Sequence, residues 1–118
     1  MSEPEWRRME SAISALSADL ASATRQRIRA AAGCERPVVC PLLDTETDAC
    51  LIYDARPVAC RAYGFYAERD KVLGCSQIET HARETPDVIW GNHAALDTEM
   101  HELGATALLS QWLDKALS

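Results

Sequence analysis

Every cysteine of this 118-residue chain lies between Cys34 and Cys75, and no two of them are close neighbours. The gaps are five residues from Cys34 to Cys40, nine to Cys50, nine to Cys60 and fourteen to Cys75. No Cys-x-x-Cys pair occurs, which excludes the local signatures of zinc knuckles, thioredoxin-like proteins and ferredoxins. An odd total of five also argues against a closed disulfide framework. The N-terminal MSEPEWRRMES has no apolar run of the kind found in secretory signals. The expected compartment is therefore the cytoplasm, where thiols stay reduced. Reduced thiols in an irregular segment can hold a metal, or can simply be small buried hydrophobes.

The flanking sequences have a different character. Residues 2–32 predict one long helix. Ser2 and Glu5 form a capping-box pattern at its start. Trp6, Met9, Ile13, Leu16 and Leu20 follow at helical spacing, and Gly33 is placed to end it. Residues 85–118 predict a second helical part, opened by Thr85-Pro86-Asp87. Leu96, Met100, Leu103 and Ala107 make its apolar stripe, continued by Leu109, Trp112, Leu113 and Leu117. Gly104 weakens it as a single helix. The expected fold is mainly α, a single domain over 1–118. Its N- and C-terminal helices pack around an irregular, metal-tied, cysteine-rich lobe spanning 34–80. With three Trp, three Tyr and one Phe, the core rests on aliphatic residues and alanine, and a metal would help to staple it.

Within the lobe, Cys50 to Tyr53 predicts a short strand. Pro57 predicts the opening of a short helix reaching about Tyr63, because proline suits a first turn and pushes Arg56 out of the helical region. Cys60 then lies near a helix start, where the dipole favours a thiolate. Four thiolates make a tetrahedral site for zinc or iron, or hold an iron–sulfur cluster, and each leaves negative charge to compensate. Arg56 and Arg61 bracket Cys60 and are the candidate compensators, with backbone N–H groups of the Pro57 helix beside them. The alternative for both arginines is a surface salt bridge to Asp44, Asp48 or Asp54.

The stretch Cys40-Pro41-Leu42-Leu43, followed by Ala49-Cys50-Leu51-Ile52-Tyr53-Asp54-Ala55-Arg56-Pro57-Val58-Ala59-Cys60-Arg61-Ala62-Tyr63-Gly64-Phe65, resembles the YkgJ-type cysteine-cluster family. Gly74-Cys75 fits the place of that family's next cysteine. The resemblance spans residues 37–79 and implies a zinc- or iron-chelating domain. It implies Cys40, Cys50, Cys60 and Cys75 as the ligand set. Many members carry a further upstream pair of the Cys-x-x-Cys or Cys-Cys type. Here only Cys34 lies upstream, so a minimal member with one centre is expected. Cys34 is a spare thiol, open to a structural, ligating or redox role.

His81 follows Cys75 by six residues and could reach the same centre. His93 and His101 fall on a similar helix face two turns apart, with Glu99 and Glu102 nearby, either as a second His/Glu site or as a polar surface. No phosphate loop, dinucleotide fingerprint or serine-nucleophile elbow is present. The net charge of −6 disfavours nucleic acid and anionic lipid. Arg25, Arg27, Arg29 and Arg36 form a basic group near the first helix end, expected to be a solvated face. No stretch approaches a membrane span. The functions left open are a metal or cluster protein with a redox, sensing or electron-transfer role, a structural zinc module that binds a protein partner, and an enzyme with an open metal position.

Overall fold

Ser2 and Glu5 start the first helix as their spacing predicts. The Glu5 carboxylate accepts from the Ser2 amide at 2.8 Å and from the Ser2 hydroxyl at 2.9 Å, a capping-box arrangement. This helix, α1 (Glu3–Ser14), buries Trp6, Met9 and Ile13. The computed structural model describes residues 1–35, 38–63, 66–68, 71–72, 75–87 and 89–117. Arg36 of the basic group, and Gly64, Phe65 and Gly74 of the resemblance, lie outside the described residues.

The single helix expected over 2–32 is two helices. Helix α2 (Ala18–Ala32) begins afresh at Ser17, whose hydroxyl accepts from the Leu20 amide at 3.3 Å. A serine oxygen competes well for a free amide, so Ser17 serves better as a cap than as an interior residue. The break lets α2 fold back on α1 and bury Ala21, Thr24 and Ile28. Gly33 ends α2 as predicted, with an ordinary φ of −92°.

The C-terminal part also departs from the expected helix over 85–118. Thr85-Pro86-Asp87 does not open a helix there. It follows α4 (Ser76–Glu84), and the Thr85 amide and hydroxyl both donate to the His81 carbonyl, at 3.0 and 2.7 Å. The next helix, α5 (His93–His101), starts at Asn92, whose side-chain oxygen accepts from the Ala95 amide at 3.1 Å. Gly104 then adopts φ +118°, a conformation that ends helical continuity and suits glycine. Helix α6 (Leu109–Leu117) follows and buries Trp112 and Leu113.

The expected pairing of the two ends is found, and the fold is mainly helical. Helix α6 packs on α1 and α2. The Met1 nitrogen donates to the Ala107 carbonyl at 2.9 Å, while the Met1 carbonyl accepts from the Ala107 amide and the Trp112 indole, each at 3.0 Å. The core joins Trp6, Met9, Ile13, Ala21, Ile28, Trp112 and Leu113 to Leu42, Ile52 and Ala55 of the cysteine segment.

Segment 66–92 adds a small sheet. Strand β3 (Tyr66–Glu68) runs antiparallel to β4 (Lys71–Val72) and parallel to β5 (Gly91–Asn92). Neither α4 nor α5 contributes a fully buried residue. The Cα radius of gyration, 15.9 Å, exceeds the roughly 13.5 Å of a compact chain of this length.

Candidate metal centre

Two local devices bring Cys40 and Cys50 together. Cys40-Pro41-Leu42-Leu43 is a tight turn, closed by the Leu43 amide donating to the Cys40 carbonyl at 3.1 Å. Proline in the second turn position is preset for this geometry. The turn leads into β1 (Leu43–Asp44), which pairs antiparallel with β2 (Ala49–Cys50), placing Leu43 opposite Cys50. Leu42 and Ile52, 5% and 4% exposed, anchor the hairpin in the core. Its loop holds Asp48 at φ 56° and is braced by the Asp44 carboxylate, which accepts from the Glu46 amide at 3.0 Å. That bond is the chief reason the Asp44 carboxyl titrates below its usual range.

The strand expected over Cys50 to Tyr53 stops at Cys50, and Tyr53–Ala55 form a 3₁₀ turn. Arg56 is extended, with ψ 136°, as a residue before proline should be. Pro57 stands as the cap of α3 (Val58–Ala62), one place ahead of the expected first helical position. Cys60 sits inside this short helix.

The Cys60 thiol is pushed up from its ordinary range. Partial burial of the group is the first cause, followed by the neighbouring Cys40 and Cys50, with Arg56 opposing. Cys60 as a residue still meets solvent, so the burial of its thiol is only partial. This reverses the expectation that the helix start would favour the thiolate. Helix α3 is only five residues long, and its leading amide, from Val58, already donates to Glu5 at 2.8 Å. The Cys60 amide is likewise taken, by the Pro57 carbonyl at 3.0 Å. These N–H groups therefore do not face the centre as free donors.

Cys40 and Cys50 thus stand close enough to Cys60 to bear on its thiol. Cys75 caps the start of α4 and is exposed. Cys34 is exposed after α2, donates to the Ala30 carbonyl at 3.3 Å, and shares with Cys40 a cavity of about 400 Å³. Among the described residues no three His, Cys, Asp or Glu side chains form a closed metal-ready group. The donor chemistry nevertheless fits a soft metal, because cysteine thiolates are ligands that suit zinc and iron.

Arg56 and Arg61 have more structural partners than expected. Arg56 donates through Nε to the Tyr53 carbonyl at 2.9 Å and lies 3.8 Å over the Tyr53 ring. Arg61 donates to the Arg56 carbonyl at 2.9 Å and the Asp54 carbonyl at 2.8 Å. Both arginines thus staple backbone, and Arg56 also reaches Cys60 with its charge. The basic group on α2 is less solvated than expected. Half-buried Arg27 donates to the Leu43 carbonyl at 3.2 Å and ties α2 to the hairpin.

Two α1 residues overlooked in the sequence touch this segment. Glu5 receives the Val58 amide, and Arg8 donates to the Asp54 carbonyl at 2.6 Å. The capping pattern marks Glu5, but nothing local marks its second partner 53 residues on. His81 is exposed on α4. His93 and His101 line a cavity of about 250 Å³ between α3 and α5. The acids in that lining are Asp97, four residues from each histidine, and Glu5 of α1, while Glu99 and Glu102 are not in it.

The setting is thus a mainly helical scaffold with cysteines on a hairpin and a neighbouring short helix. A family model, CxxCxxCC, with the description "Putative zinc- or iron-chelating domain", matches residues 8–86. The chain belongs to this family. The close cysteine pairs in the family's name have no counterpart here. No curated protein and no solved structure matches the chain. Among the described residues no helix is long and apolar enough to cross a membrane.

Proposed function

We propose that this protein holds a zinc ion or an iron–sulfur cluster through Cys40, Cys50 and Cys60, with Cys75 as the fourth ligand, and that the centre serves a redox, sensing or electron-transfer role. The observation that carries the reading is the β1–β2 hairpin, which carries Cys50 and follows directly on the Cys40 turn, standing close enough to Cys60 of α3 for both thiols to bear on it. Solvent access at Cys40 and Cys60 supports a role that exchanges electrons, metal or ligand with the surroundings. Arg56 supplies nearby positive charge. The bound metal or cluster would contribute Lewis acidity or electron storage.

A structural zinc module acting as a protein-interaction domain is the second reading. The apolar core assembled by α1, α2 and α6 weighs against it, because a metal is less needed where a core already exists. Cys34 competes with Cys75 for the fourth position, since it shares a cavity with Cys40.

Metal and acid-labile sulfide analysis, with an absorption spectrum of protein purified without oxygen, tests the reading. Iron with sulfide and visible colour identifies a cluster. Stoichiometric zinc without colour identifies a zinc centre, and the absence of any metal refutes the proposal. Cys34→Ser and Cys75→Ser then assign the fourth ligand, as the variant that loses more metal.

A further inference from the structure

We infer that α1 is a positioning clamp for the cysteine centre, with Glu5 and Arg8 holding the arc that carries the chain from Cys50 to Cys60. The inference rests on the metal-binding reading above. Glu5 and Arg8 are three residues apart and so share one face of α1. Arg8 donates to the Asp54 carbonyl at 2.6 Å, and Glu5 receives the Val58 amide at 2.8 Å. The two contacts grip the arc at points four residues apart, and Cys60 follows the second by two residues.

The clamp is itself fixed. The other oxygen of Glu5 is held by the amide and hydroxyl of Ser2, which is 1% exposed. Trp6, Met9 and Ile13 lock α1 into the core. The arc is braced from within, because Arg61 donates to the same Asp54 carbonyl at 2.8 Å. A carboxylate that caps α3 from another helix sets where α3 begins, and hence where Cys60 stands relative to the Cys40–Cys50 hairpin. Groups that orient ligands in this way commonly change metal affinity by about ten- to a hundredfold.

The test measures Zn²⁺ affinity of the full chain by competition with a chromophoric chelator. Glu5→Gln should weaken binding by about tenfold, and Arg8→Met by several-fold, with helical content unchanged by circular dichroism. Ile13→Val, on the same helix but in the core, should lower the melting temperature and leave Zn²⁺ affinity unchanged. Wild-type affinity in both Glu5→Gln and Arg8→Met overturns the clamp and leaves the metal reading standing. Equal weakening by Ile13→Val also overturns it, because the effect would then be general destabilisation. If Glu5→Gln does not fold, Arg8→Met decides alone, since its bond lies at the exposed surface. A wild-type protein that takes up no metal overturns the metal reading, and the clamp with it.

Discussion

Glu5 shows how one side chain can serve two segments. Burial pushes its carboxyl up, but the Ser2 and Val58 amides and the Ser2 hydroxyl outweigh burial and hold it below its ordinary value of 4.5. A carboxyl with a depressed folded pKa stabilises the fold fully above its unfolded value, and that contribution is lost as pH falls through the folded one. Acid unfolding monitored by circular dichroism should therefore be shallower at its acid limb in Glu5→Gln than in wild type. At the centre, Cys60→Ser should lower metal content more than Cys34→Ser, measured on protein purified without oxygen. Equal losses would count against the ligand assignment. The residue types, with Arg56-Pro57 and Cys60-Arg61, made the zinc- or iron-chelating family legible in the sequence. The direction of the Cys60 shift was not, because it depends on burial and on thiols ten and twenty residues away.

The elements are set by small polar residues and glycines more than by apolar periodicity. Ser17 divides what the stripe of Leu16 and Leu20 suggests is continuous, and Asn92 opens α5 where Thr85-Pro86 seemed the stronger signal. Ser17→Ala should cost about 1 kcal/mol of stability by thermal melting, the usual value of an N-cap. Gly104 and Gly33 should respond in opposite ways. Alanine at Gly104 must adopt φ +118° and should destabilise by about 1–3 kcal/mol. Gly33 has ordinary φ and open space around it, so Gly33→Ala should be neutral or stabilising by about 0.4–1 kcal/mol in the same melts. The Pro57 cap follows from proline's fixed φ, which explains why its position was nearly legible in advance, whereas the turn at Cys40-Pro41 was not anticipated.

At the scale of the molecule, the core is made by the two ends of the chain and the hairpin of the cysteine segment, while α4 and α5 bury no residue fully. The metal-binding role should therefore be separable from folding. Removing metal with a chelator should raise amide hydrogen exchange across 38–62 first, and α1, α2 and the buried turn of α6 should keep their protection. Simultaneous loss of protection in all these helices would show instead that the metal holds the core together, and would favour the structural zinc module.

What could be read along the chain was local chemistry. Capping at Ser2, the extended Arg56, the amphipathic ends and the thiol-rich middle each depend on residues a few places apart, where the intrinsic preferences of the backbone act. What needed the folded chain was every contact across long separations. The return of α2 onto α1, the Met1–Ala107 tie, the grip of Glu5 and Arg8 on the arc 54–58, and the approach of Cys60 to the Cys40–Cys50 hairpin arise from core packing that brings distant groups together. Periodicity records which face is buried, but it carries no record of which partner buries it.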